Sequence, residues 1–140
     1  MRRAGRELGW AALWMAAALI PLAAQPKRVL FVTHSAGFRH DSILVARQVL
    51  PQLDPARLSV TSTEDLSLLA ADRLREFDAV FFFTSGELAI SDAQKRDLLD
   101  FVRSGKGFGG AHSATDTLYG WAEYGDLIGG YFDGHPWVHN

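Results

Sequence analysis

Two short apolar runs set the frame of the chain. KRVLFVT (27 to 33) and DAVFFFT (78 to 84) are rich in β-branched and aromatic residues, and each ends on a threonine followed by a polar, glycine-containing turn. Runs this short and this continuously apolar predict strands buried on both faces. LSVTST (58 to 63) alternates instead, which predicts a strand nearer a sheet edge. Between these runs the period changes to that of a helix. Asp41 can cap a helix with Ile43, Ala46, Leu50 and Leu53 on one face. The segment SDAQKRDLLDFVRSG (91 to 105) opens with a Ser91/Gln94 capping box and stops at Gly105. Its Leu98, Phe101 and Val102 form the inward stripe, and Asp92, Lys95, Arg96 and Arg103 read as a solvated face. Strands alternating with helices at this spacing predict an α/β, doubly wound parallel sheet with right-handed crossovers. Ligands of such sheets bind at the carboxyl ends of the strands. The loops of interest are therefore 34 to 41, 85 to 91 and 112 to 117.

GKGFGGAHSATDT (105 to 117) contains a literal GxGxxG at Gly105, Gly107 and Gly110. A dinucleotide fingerprint follows a strand and opens a helix. Here Gly105 ends a helix and the glycines run into a strand, so the register is wrong for a nucleotide. A glycine-rich strand at the centre of a sheet would instead let a neighbouring element approach closely. The turn after it carries more chemistry. A strained strand-to-helix elbow needs small residues two before and two after the side chain it presents. Gly110, His112 and Ala114 meet that need, and so do Ala111, Ser113 and Thr115. Ser113 as a nucleophile would need a base and an orienting carboxylate. The alternative is that Ser113, Thr115 or Asp116 caps the following helix.

The amino terminus changes the expected location. MRRAGRELGWAALWMAAALIPLAAQP has basic Arg2, Arg3 and Arg6, an apolar run from Trp10 to Ile20, then Pro21 and small residues, the layout of a signal peptide cleaved after Ala24. The run is shorter than the ~20 residues that span a bilayer, so no stable membrane anchor is expected after cleavage. The chain is then exported, periplasmic or secreted. Cleavage removes three Arg and one Glu and leaves 11 basic against 15 acidic side chains, a net charge of −4. That balance does not suggest a nucleic-acid partner. With no cysteine among its 140 residues, the chain has no disulfide and relies on one core.

In order and spacing, VLFVTHSAGFRHDSI, FFFTSGE, GKGFGGAHSATDTLYGW and YGDLIGGYFDGHPW resemble the ThuA-like (trehalose utilisation) family. Its domain is a variant of the class I glutamine amidotransferase-like, flavodoxin-like fold. The resemblance covers residues 28 to 140. It implies a domain at 25 to 140 that is the N-terminal part of a longer ThuA-like domain, truncated at its C-terminus. It also implies a role in carbohydrate metabolism, on trehalose, a related glucoside or an oxidised sugar, and leaves room for homo-oligomers or additional sugar-processing modules. The amidotransferase relatives place a cysteine at the elbow. His112 stands there in this chain, so thiol-mediated glutamine hydrolysis is excluded.

On the expected sheet edge, His112, His40, Glu87 and Asp116 are the candidates for acid-base catalysis on a sugar hydroxyl or carbonyl. His34, Arg39, Ser113, Trp121 and His135 are the candidates for substrate binding. The structural alternatives are that His34 satisfies a turn, His40 precedes a helix and Glu87 is a solvated loop charge. The cofactor is unknown. His34, Glu87, His112, Asp116 and His135 are ligand types that zinc or another divalent ion accepts, but no two of these five stand at HxxxH or HExxH spacing. The aromatics after residue 118 are more often core than sugar platforms at helical spacing, and Trp121 is the one taken as a platform. A flavin is suggested by fold analogy alone. The competing function class is a non-catalytic sugar-binding or partner-docking module.

Overall fold

The computed structural model describes residues 25 to 136. The signal-peptide reading of residues 1 to 24, and Trp137 of the last motif, lie outside the described residues. Four strands, β1 (Lys27–Val32), β2 (Leu58–Thr63), β3 (Ala79–Phe82) and β4 (Gly107–Gly110), form one sheet in the order β2-β1-β3-β4. All three pairings are parallel. The connections carry α1 (Ser42–Val49), α2 (Ala71–Leu74) and α3 (Asp92–Arg103), and α4 (Ala122–Ile128) follows β4.

Period-2 alternation divides the strand side chains between two layers. Leu30, Val32, Val80 and Phe82 bury against Leu69, Leu74 of α2, Leu98 and Phe101 of α3 and Tyr124 of α4. Phe31 and Phe83 point the other way, onto Ile43 of α1, with Ala46, Leu50 and Val60 packed around them. Helices therefore cover both faces, as the apolar runs predict. Among the described residues, no helix is long and apolar enough to cross a membrane.

Three expectations are corrected. The glycine strand β4 lies at an edge of the described sheet, not at its centre. Gly107 and Gly109 fit closely even so, because a Cβ on Gly109 would stand 3.2 Å from the Phe81 ring. Asp41 makes no capping bond because its backbone is helical, at φ −61° and ψ −28°, rather than extended. Helix α1 stops at Val49 and gives way to a 3-10 turn over Leu50–Gln52 that contains Pro51. This turn carries Leu53 out of the inward face, leaving it 64% exposed. By contrast, the Ser91/Gln94 capping box on α3 is present in both directions.

Candidate functional site

The loops at the carboxyl edge are tied together by extensions of the ladder beyond the named strands. Ser35 bridges Ser85, and Gly86 bridges Thr117, both in parallel sense. The Ala36 and Gly37 amides donate to the Ser85 carbonyl at 2.8 and 3.0 Å, and the Ser85 hydroxyl donates to the Phe38 carbonyl at 2.6 Å. The Gly86 amide donates to the Asp116 carbonyl at 2.7 Å. Three loops distant in sequence thus become one rigid edge.

The elbow rises from this edge. A 3-10 turn over His112–Thr115 follows β4, and His112 opens it with φ 53°. His112 and Leu118 are the non-glycine residues with positive φ among those described. For a non-glycine residue this conformation costs about 1–2 kcal/mol, and such strain collects at functional turns. The small neighbours have a steric reason. A Cβ on Gly110 would stand 2.5 Å from the Ala114 Cβ and 2.9 Å from Ile128 Cδ1. Gly110→Ala should therefore lower stability by about 2 kcal/mol, in the range of core overpacking. Ala114→Gly added to it should recover part of that loss in thermal denaturation. A double variant no more stable than the single one would place the strain elsewhere.

His112 is exposed and lies among rings. Its imidazole is 4.2 Å from that of His40, centroid to centroid, and 5.5 Å from the Phe83 ring, nearly parallel to it. A small pocket of about 60 Å³ opens beside it, lined by His40, His112, Ser113, Thr115, Asp116, Phe132 and His135. Ser113 is only 5% exposed, and its Oγ has no hydrogen-bond partner among the described residues. It caps no helix, and neither does Thr115, whose hydroxyl turns back to the His112 carbonyl. The Thr117 hydroxyl donates to the Ser113 carbonyl at 3.0 Å, and the Tyr124 hydroxyl donates to the Ala114 carbonyl at 2.7 Å, fixing the turn from beneath.

Tyr119 and Phe132 play parts that sequence reasoning missed. The Tyr119 hydroxyl donates to Asp116 Oδ1 at 2.8 Å and lies equally close, 2.8 Å, to the Phe132 carbonyl, so one proton serves two acceptors. Burial, together with the Asp116 carboxylate, pushes the Tyr119 phenol up to about 12, which keeps it a donor. The Phe132 amide donates to the Thr115 carbonyl at 2.9 Å, and its ring lies 4.8 Å from that of His135. This clip brings the 131 to 136 segment, and His135 with it, to the pocket. Nothing in the sequence pattern marks a hydrogen bond across 13 residues.

The remaining candidates stand elsewhere. His34 donates through Nδ1 to the Glu64 carbonyl at 3.0 Å. Arg39 forks onto the Glu64 carboxylate at 2.8 and 3.2 Å, and Arg47 joins at 3.1 Å. The hydrogen bond from Arg39 is the main reason that the Glu64 carboxyl lies below its ordinary range. Both His34 and Arg39 are thereby tied to the end of β2. The Glu87 carboxylate accepts the Gly120 amide at 3.1 Å and does not line the pocket. Trp121 is corrected as a sugar platform: it is 6% exposed and stacks on Tyr124 inside the core. Among the described residues, no group of three or more His, Asp or Glu side chains is placed to hold a metal ion.

The ThuA family model, described as trehalose utilisation, matches residues 28–140. No curated protein matches the chain. Among solved structures, a ThuA-like protein from Bacteroides uniformis ATCC 8492 is similar in fold, with a TM-score of 0.58 and 17% sequence identity. The match covers 90% of this chain and 48% of that one, so the chain spans about half the length of this relative.

Proposed function

Because the chain belongs to the ThuA family of trehalose utilisation, we propose that it is an exported carbohydrate-processing domain acting on trehalose, a related glucoside or an oxidised sugar. In this reading His112 and His40 move protons at a hydroxyl or carbonyl oxygen of the substrate. Ser113 and His135 hydrogen-bond the same group, and Asp116, steadied by Tyr119, sets the charge beside it. The observation that carries the reading is the presentation of His112 at a positive φ, with the His40 ring 4.2 Å away and the pocket opening beside both. Two imidazoles at this separation can serve as acid and base on one substrate group.

The small volume of the pocket, about 60 Å³, favours a second reading, a sugar-binding module without turnover. Purified full chain incubated with trehalose, methyl α-glucoside and their keto derivatives separates the two. Product formation that depends on His112 supports the enzyme. Saturable binding without product supports the module. Neither product nor binding overturns both readings.

A further inference from the structure

The pocket beside His112 holds about 60 Å³, whereas pockets that enclose small molecules run to about 300–1,000 Å³. A space several-fold smaller admits one polar substituent and leaves a sugar ring outside. Ser113 lines this pocket and is only 5% exposed, and its Oγ is buried without a hydrogen-bond partner among the described residues.

The ring then needs a surface at the mouth, and Phe38 supplies one. It is 70% exposed, and its ring stands edge-on to that of His40 at 4.8 Å. An aromatic left in water forgoes the stabilisation that burial would give it. It is also not loosely held, since the Ser85 hydroxyl grips its carbonyl at 2.6 Å and the Ser35–Ser85 bridge precedes it. The other aromatics near the pocket are otherwise engaged. Trp121 is in the core, Tyr119, 44% exposed, stacks on Tyr131 while its hydroxyl clips Asp116, and Phe132 packs on His135.

We propose that Phe38 is the platform on which the apolar face of the substrate's ring lies, while a single polar substituent of that ring enters the His40/His112/Ser113 pocket. The ligand class is a pyranoside recognised through one protruding oxygen. This rests on the reading of the site as a carbohydrate site. Stacking of a flat apolar face on an aromatic ring is worth about tenfold in affinity.

The test is calorimetric titration of the full chain with methyl α-glucoside and with sorbitol, which carries hydroxyls but no ring face. Wild type should bind the glucoside and discriminate against sorbitol. Phe38→Ala should bind the glucoside about tenfold more weakly with its melting temperature unchanged, and Phe38→Trp should restore the affinity. Phe38→Ala binding as tightly as wild type, or sorbitol binding as tightly as the glucoside, overturns the platform and leaves the site reading standing. Wild type that binds no glucoside overturns the site reading, and the platform falls with it.

Discussion

Gly86→Ala is expected to lower the melting temperature of the full chain by about 10–20 °C. Gly86 has φ +75°, which costs an alanine about 1–2 kcal/mol. The added Cβ would also stand 2.4 Å from the Gly37 nitrogen and 2.9 Å from the Ala36 carbonyl carbon. Those are backbone atoms of the loop hydrogen-bonded to Ser85, so no side chain can swing aside. Strain and clash together come to about 2–4 kcal/mol, and in a domain of this size each kcal/mol moves the midpoint by about 4–8 °C. Gly105→Ala is the control. Its φ is +89°, but nothing lies within 4 Å of the position its Cβ would take, so only the conformational cost applies. Calorimetric melting of both variants isolates the clash. Equal shifts for the two would mean that the 35 to 38 loop yields freely and does not hold the site edge rigid.

How far the sequence discloses this arrangement depends on the range of the interactions. The buried strands are legible because Val29 to Val32 and Ala79 to Phe83 are continuously apolar, and burial on both faces leaves no polar position. The start of α3 is legible because the Ser91/Gln94 box is a contact over three residues. The elbow is legible in part, because the Gly110, His112, Ala114 spacing is local and steric. Contacts between distant segments are not. Glu64 draws Arg39 from 25 residues away, and Tyr119 reaches the Phe132 carbonyl through a fold that brings 131 to 136 back over the turn. Trp121 is apolar and lies next to the site in sequence, yet it stands at the start of α4 and shares the core with Tyr124, a burial that periodicity alone does not separate from exposure.

If the proposed acid-base reading holds, His112→Asn should reduce sugar turnover by about 10²–10⁴-fold, the usual contribution of a positioned general acid or base. Asparagine is the informative replacement because it tolerates positive φ better than alanine does, so the elbow at φ 53° is kept while the imidazole is removed. The side chain is exposed and makes ring contacts with only His40 and Phe83 among the described residues. The melting midpoint should therefore stay within the few degrees expected of a surface change. Steady-state kinetics on the best substrate of the panel, with a thermal melt of the same preparation, checks both halves. A variant that keeps its rate but melts far lower would make His112 a structural residue of the turn.

The central claim, that the paired imidazoles at the elbow meet the sugar, is tested most directly by nuclear magnetic resonance of the full chain labelled at its histidine side chains and titrated with methyl α-glucoside. Of the five histidines, His40 and His112 should shift saturably and together. His34, bonded to the Glu64 carbonyl at the end of β2, should remain where it is. Imidazole signals of His40 and His112 that do not move at saturating sugar, or that move no more than that of His34, would contradict the account.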